Sequence, residues 1–192
     1  LKRYLKNFGL KAEQCFPHKM SLEEIKKVPE SALLIVVGGK SGRVEHFNKL
    51  ANIIGDKYNI PVFSEAFPLG WSKVKNWLKN LGEFLGQKEV AYDLLVKEEK
   101  NLRVEIAEVY GDLKDKNVTV VIGRSFEYID ITWLFETLLY SKMKVEKVIL
   151  LDTLTYYEQI EIKNELKDYY NVIMSDEFGN ENLNGVEFII TT

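Results

Sequence analysis

The feature that most constrains this chain is Leu33-Leu34-Ile35-Val36-Val37, an unbroken apolar run bounded by Ser31 before it and Gly38-Gly39 after it. A strand with no polar alternation needs cover on both faces, which antiparallel sheets seldom provide and helix-covered parallel sheets do. Two further runs share the form, Val118 to Ile122 closed by Gly123 and Val145 to Leu151 closed by Asp152. Ile60 to Phe63 and Tyr170 to Met174 are shorter, and Glu187 to Ile190 would be an edge element. Stretches of helical period separate these runs, so the expected fold class is α/β: two Rossmann-like lobes with mostly parallel sheets.

Val44, Phe47, Leu50, Ala51 and Ile54 recur at three- and four-residue steps, which predicts a helix after Gly42 with one face on the sheet, ended by Gly55. Val74, Trp77, Leu78, Leu81, Phe84 and Leu85 predict a second helix from about Ser72, ended by Gly86. A third helix follows with no strand between, carrying Ala91, Leu94, Leu95, Leu102, Ile106 and Val109 on one stripe and stopped by Gly111. That break in alternation sets the expected lobes at 1–86 and 87–192, the third helix crossing to the second lobe. Ile129, Ile131, Trp133, Leu134, Phe135, Leu138 and Leu139 take up nearly every side of a later helix, which therefore needs cover besides the sheet. Repeats of solenoid length and low-complexity segments are absent.

The function classes narrow on charge and cysteine. With 26 basic and 29 acidic residues, the net charge of -3 offers no footprint for nucleic acid. The single Cys15 allows no internal disulfide and falls short of the ligand set of a zinc or iron–sulfur site, so no metal is expected on this chain alone. The longest apolar run, Trp133 to Tyr140, contains Glu136 and is far short of the about 20 residues that cross a bilayer. No signal peptide is visible, so no membrane partner and a cytoplasmic location are expected. A chain running from Leu1 to Thr192 reads as a piece of a longer protein.

Gly38-Gly39-Lys40-Ser41-Gly42-Arg43 joins the first strand to a helix, where glycines allow close backbone approach and a helix N-terminus favours negative charge. The string has neither the order of a phosphate-binding P-loop nor dinucleotide spacing. It reads equally as an anion site or as a plain turn with Lys40 and Arg43 in solvent. Arg3, Arg43, Arg103 and Arg124 are the only arginines, and Arg43 and Arg124 sit just past strand ends, where a planar guanidinium suits carboxylate or phosphate. Each could instead pair with an acid such as Glu45 or Glu127. His18 and His46 lack metal-ligand spacing, Cys15 at the end of a possible strand Lys11 to Phe16 has no histidine base, and Glu98-Glu99 belongs to a charged helix face. Trp71 and Trp77 read as core or lobe-interface residues rather than a stacking platform. No catalytic residue emerges from this pattern.

The run Phe67-Pro68-Leu69-Gly70-Trp71-Ser72-Lys73-Val74-Lys75-Asn76-Trp77-Leu78, preceded by Lys57-Tyr58-Asn59-Ile60-Pro61, carries a family resemblance. Strand, helix, an Ile-Pro lead into the next strand, Pro-x-Gly and a serine before an apolar helix resemble the middle and third domains of nitrogenase component 1 type oxidoreductases. Nitrogenase molybdenum–iron subunits, their cofactor-assembly scaffolds, dark-operative protochlorophyllide reductase and nickel-sirohydrochlorin reductive cyclase make up that superfamily. Ala91 to Glu98, Asn117 to Gly123 and the upstream Leu1 to Ala32 extend the likeness along the chain. The resemblance implies a catalytic or scaffold component that takes electrons from an ATP-dependent iron protein to reduce or mature a metallocofactor or tetrapyrrole. It implies a homo- or hetero-oligomer with another nitrogenase-like subunit. Its iron–sulfur cluster would be held by residues outside this chain, so that the chain alone is inactive. Gly38 and Gly39 stand where nitrogenase α subunits carry a cofactor-ligating cysteine, so that ligand does not carry over. The candidate cofactor-binding residues are Gly38, Gly39, Lys40, Ser41, Arg43, Pro68, Gly70, Gly123 and Arg124, of which the resemblance carries over only Arg124, as a pocket arginine in the loop after an Ile-Gly strand end. A non-enzymatic two-lobe module closing on an anionic small ligand is the alternative.

Overall fold

The computed structural model describes residues 1–12, 20–37, 41–123, 131–179 and 187–191, and for 41–44 the backbone only. It is mixed α/β with parallel sheets, in two compact units, Leu1–Asn101 and Leu102–Thr192. The division falls inside the third long helix rather than at Gly86. That helix, α5 (Lys88–Tyr110), buries only Ala91, Leu94, Leu95 and Glu98, all in its first half. Ala91 meets Gly82, and Glu98 meets Arg3, so this half belongs to the first unit by packing.

In the first unit, β1 (Leu34–Val37) pairs in parallel with β2 (Val62–Phe67). β1 is not buried on both faces: Val36 is buried but Val37 is 52% exposed. Among the described residues β1 has β2 as its one ladder neighbour, so it is no central strand of a wide sheet there, and its last residue, Val37, stands at the sheet's end with little packed over it. β2 begins later and runs longer than the Ile60–Phe63 run, because Asn59 and Ile60 are used to end a helix.

That helix, α3 (Ser41–Tyr58), runs through Gly55. It stops where Asn59 takes φ 55° and the Ile60 N–H returns to the Gly55 carbonyl at 2.9 Å, a Schellman closure with asparagine in the left-handed position. Gly55 serves close approach instead. A Cβ there would lie 2.5 Å from Val62 Cγ2 and 2.8 Å from the Ile60 carbonyl oxygen. This contact also sets the phase of α3: Asn48, Ala51 and Ile54 turn inward with Gly55, whereas Phe47 and Leu50, expected on the sheet, are exposed.

α4 (Trp71–Phe84) starts one residue earlier than the sequence pattern placed it, with Gly70 as its N-cap, and buries Trp71, Val74, Trp77, Leu78 and Leu81. Gly86 at φ 67° closes it, the Gln87 N–H reaching the Gly82 carbonyl at 2.7 Å. Phe63 and Phe67 on β2 meet Trp77 edge-on, with ring centres 5.5 and 5.1 Å apart. β2 therefore offers its Phe63 and Phe67 face to α4 and its Val62 face to α3, as the two-residue period requires.

The second unit is a four-stranded parallel sheet in the order β5-β4-β3-β6. Its strands are β3 (Asn117–Ile122), β4 (Lys144–Leu150), β5 (Asn171–Ile173) and β6 (Phe188–Thr191). Val118, Val120 and Ile122 of central β3 are fully buried with Val148 and Leu150 of β4, under Leu134, Phe135 and Leu138 of α6 (Thr132–Tyr140). α6 is open on one side, for Leu139 is 74% exposed: the sheet takes one face, and among the described residues nothing covers Leu139. α7 (Tyr156–Leu166) is capped by Thr155 and Glu158 in a reciprocal box before the chain enters β5.

β6 is an edge strand latched by Glu187, whose carboxylate accepts the Asn117 N–H at 2.9 Å and lies 3.4 Å from Lys116 Nζ. The Asn117 hydrogen bond first, and Lys116 second, hold the Glu187 pKa below its ordinary value. A carboxylate depressed on folding gives its full stabilisation above its unfolded pKa and loses it as pH falls through the lower folded value. Melting followed from about pH 6 down to about pH 3 is expected to show a steeper acid loss for wild type than for Glu187→Gln. Parallel profiles would remove the latch.

Candidate functional site

Val37 and Phe67, the last residues of β1 and β2, are ladder partners. Parallel neighbours lie about 4.8 Å apart, so the segments leaving them start side by side. One passes to Ser41, where α3 begins, and the other passes through Pro68, Leu69 and Gly70 to α4. Gly70 sits at φ 86°, ψ 145°, a backbone state that side-chain-bearing residues avoid, and it offers no side-chain cap to α4. Two helix N-termini therefore open on one sheet edge, and their aligned peptide dipoles favour negative charge there.

In the second unit the chain proceeds from β3 to β4 and β5 on one side and then crosses to β6 on the other, with every pairing parallel. The strand order reverses between β3 and β6. In open α/β sheets the crevice outside the carboxyl ends of the strands at such a reversal is where ligands bind. Gly123, buried, lies directly at that tip, after Ile122.

Of the residues expected at a site, the structure places Ser41, Pro68 and Gly70 together on the β1–β2 edge and Gly123 at the β3–β6 reversal. Arg43 lies in the first turn of α3, with only its backbone described. Gly38, Gly39, Lys40 and Arg124 lie outside the described residues, as do Cys15 and His18; His46 is exposed on α3. Among the described residues no group of three or more histidine, cysteine, aspartate or glutamate side chains is placed to hold a metal ion, and no helix is long and apolar enough to cross a membrane.

Sequence reasoning missed Arg3, Tyr4 and Glu98. Glu98, assigned to a charged face, is buried and accepts a hydrogen bond from Arg3 Nη2 on α1 (Lys2–Asn7). Tyr4 packs 6.1 Å from Phe67, at the tip of β2. The scarcity of arginine was the available signal, but nothing local links residues 3 and 98.

Parallel α/β units with glycine-bearing turns at their strand tips define a Rossmann-like class of protein that gathers ligand contacts at sheet edges. Residues 1–185 match the family model for nitrogenase component 1 type oxidoreductase. The chain belongs to that family. Solved structures agree at the level of fold. Nitrogenase Cp1 at pH 5 superposes with a TM-score of 0.52 at 13% identity, covering 77% of this chain and 28% of that one. Nitrogenase Cp1 at pH 6.5 gives 0.50 at 14% identity, covering 78% and 28%. A possible iron-binding (periplasmic solute-binding) protein from Staphylococcus epidermidis gives 0.50 at 12% identity, covering 92% of this chain and 87% of that one. The chain thus spans little more than a quarter of nitrogenase Cp1. No curated protein sequence is a significant match.

Proposed function

We propose that this chain supplies ligand-binding α/β units of a nitrogenase component 1 type oxidoreductase or of a related cofactor-maturation scaffold. The observation carrying this reading is a family match that runs through both units and includes the tips of β1, β2 and β3. An iron–sulfur cluster does not fit the residues of this chain, since it needs several thiolates and Cys15 is the only one. In this reading the cluster sits on other polypeptide of the same assembly, which accepts electrons from an ATP-dependent iron protein, and another nitrogenase-like subunit completes the oligomer. This chain's share is to bind and orient the molecule being reduced or matured, with its strand-tip glycines allowing close approach and its helix N-termini balancing negative charge.

The test is anaerobic isolation of the native protein with all its polypeptide and partners. The expected result is stoichiometric iron and acid-labile sulfide, with cluster absorption bleached by dithionite. A native protein free of iron and sulfide would end the reading. It would favour a second one, a non-enzymatic two-unit module for an anionic small ligand, motivated by the near-complete mutual coverage with the solute-binding protein.

A further inference from the structure

The two units carry opposite charge. Residues 1–101 hold 17 basic and 12 acidic side chains, a net charge of +5, whereas residues 102–192 hold 9 and 17, a net charge of -8. The chain's total of -3 hides this segregation. Separated charge of this kind steers molecules toward one another. On α7, Tyr157, Glu161 and Glu165 follow at four-residue steps and are all exposed, Tyr157 at 70%. The cations close to them in sequence are committed elsewhere: Lys163 Nζ lies 3.1 Å from Glu177 and Lys167 Nζ 3.2 Å from Asn164 Oδ1. Like charges one turn apart repel, and Glu165, in the last turn, also faces the negative end of its own helix dipole. This row therefore costs α7 stability unless a cation stands against it.

The opposite row lies on α4. Lys75 and Lys79 stand one turn apart, and Glu83, next on that row, is held by Lys88. Lys75 Nζ lies 5.9 Å from the Trp71 ring centre, and among the described residues no acid pairs with Lys75 or Lys79. The first turn of α4 holds no acidic residue, so nothing in it offsets Lys75 near the positive end of the helix dipole. The two rows match in charge and in spacing. Antiparallel approach of α4 in one copy to α7 in another sets Lys75 against Glu165 and Lys79 against Glu161, at a shared rise of about 6 Å per four residues. It also opposes the two helix dipoles, and it places the Glu83–Lys88 pair beside the Tyr157 ring, whose face accepts a cation. A parallel approach would align the dipoles and bring Glu83 toward Asp168.

We propose that this chain self-associates through an antiparallel contact between the lysine row of α4 in one copy and the glutamate row of α7 in a second copy. The inference goes beyond the oxidoreductase reading and does not depend on it.

The test is sedimentation velocity of the full chain over a concentration series at low and at high salt. Reversible self-association is expected at about 10 mM salt and should be about tenfold or more weaker at about 1 M, where the screening length falls from about 30 Å to about 3 Å. Glu161→Lys combined with Glu165→Lys is expected to leave only monomer, because like charges then meet across the contact. Lys75→Glu combined with Lys79→Glu should do the same. An equimolar mixture of these two variants should associate as the wild type does. Glu105→Lys combined with Glu108→Lys alters the net charge of the chain equally, but on α5, and should cost no more than about twofold.

A wild-type chain that stays monomeric at both salt concentrations overturns the proposal, as does association indifferent to salt. A mixture of the reversed variants that remains monomeric overturns it too, and so does an α5 control that dissociates as fully as the α7 variant. Should a reversed variant not fold by circular dichroism, Glu161→Gln combined with Glu165→Gln decides, with a several-fold loss expected and no loss counting against the contact. Iron and sulfide content of the native assembly moves with none of these results, so failure here and failure of the oxidoreductase reading are distinguishable.

Discussion

Trp77→Ala is expected to destabilise the first unit by about 3–5 kcal/mol, the range for emptying a buried aromatic site. The indole is 2% exposed, lies between Phe63 and Phe67, and donates from Nε1 to the Glu65 carbonyl at 2.8 Å. Truncation removes two edge-to-face ring contacts, leaves a cavity between β2 and α4, and strands the Glu65 carbonyl. Trp77→Phe should retain most of the packing and lose mainly the hydrogen bond, costing about 1–2 kcal/mol. Urea unfolding followed by circular dichroism measures both. A loss below about 1 kcal/mol for the alanine variant would mean that the unit's core is not organised around this ring.

Gly55→Val is expected to cost about 3 kcal/mol, at the upper end for overpacking. Even the first added carbon would approach Val62 Cγ2 to 2.5 Å and the Ile60 carbonyl oxygen to 2.8 Å. The side chain of Val62 can be trimmed, but the Ile60 backbone is held by its own N–H bond to the Gly55 carbonyl, the bond that ends α3. The pair therefore makes a double-mutant test. Val62→Ala in the Gly55→Val background should recover part of the loss, because neighbours in contact are not additive. Full additivity would show that α3 and β2 do not approach as closely as the structure has them.

The two positions illustrate what was readable. Trp77 was legible as core because it sits in a helical stripe of Val74, Leu78 and Leu81, and the burial of a stripe depends only on local period. Gly55 was legible as special but was given the wrong reason. A glycine late in a helical pattern reads as a terminator, yet here the terminator is Asn59 in the left-handed state, and Gly55 is small because β2 passes against it. The same confusion between local and packed causes misplaced the inward face of α3. Phe47 and Leu50 looked like the sheet face by their three- and four-residue spacing, but the approach at Gly55 rotates them outward.

The site divides in the same way. Pro68, Gly70 and Ser41 were legible as strand-to-helix punctuation, and their meeting on one edge follows from the parallel pairing of Val37 with Phe67. Arg3, Tyr4 and Glu98 were not legible, since the pairing of a residue in α1 with one in α5 leaves no periodic trace. Glu98 in particular looked solvated among neighbouring charges, and its contact with Arg3, distant in sequence, is what supports a carboxylate buried on that helix.

The alternation of apolar runs with helical stripes determined, without coordinates, that this chain forms parallel α/β units with glycines at the strand tips. Period and turn chemistry act within a few residues, and they are written directly in the order of the amino acids. Tertiary structure alone decided that α5 is shared between the two units, that the strand order reverses between β3 and β6, and that an arginine near the start of the chain pairs with a buried glutamate of α5. Each of these depends on contacts between residues distant in sequence, where the outcome is set by which surfaces fit and which charges must be paired once buried.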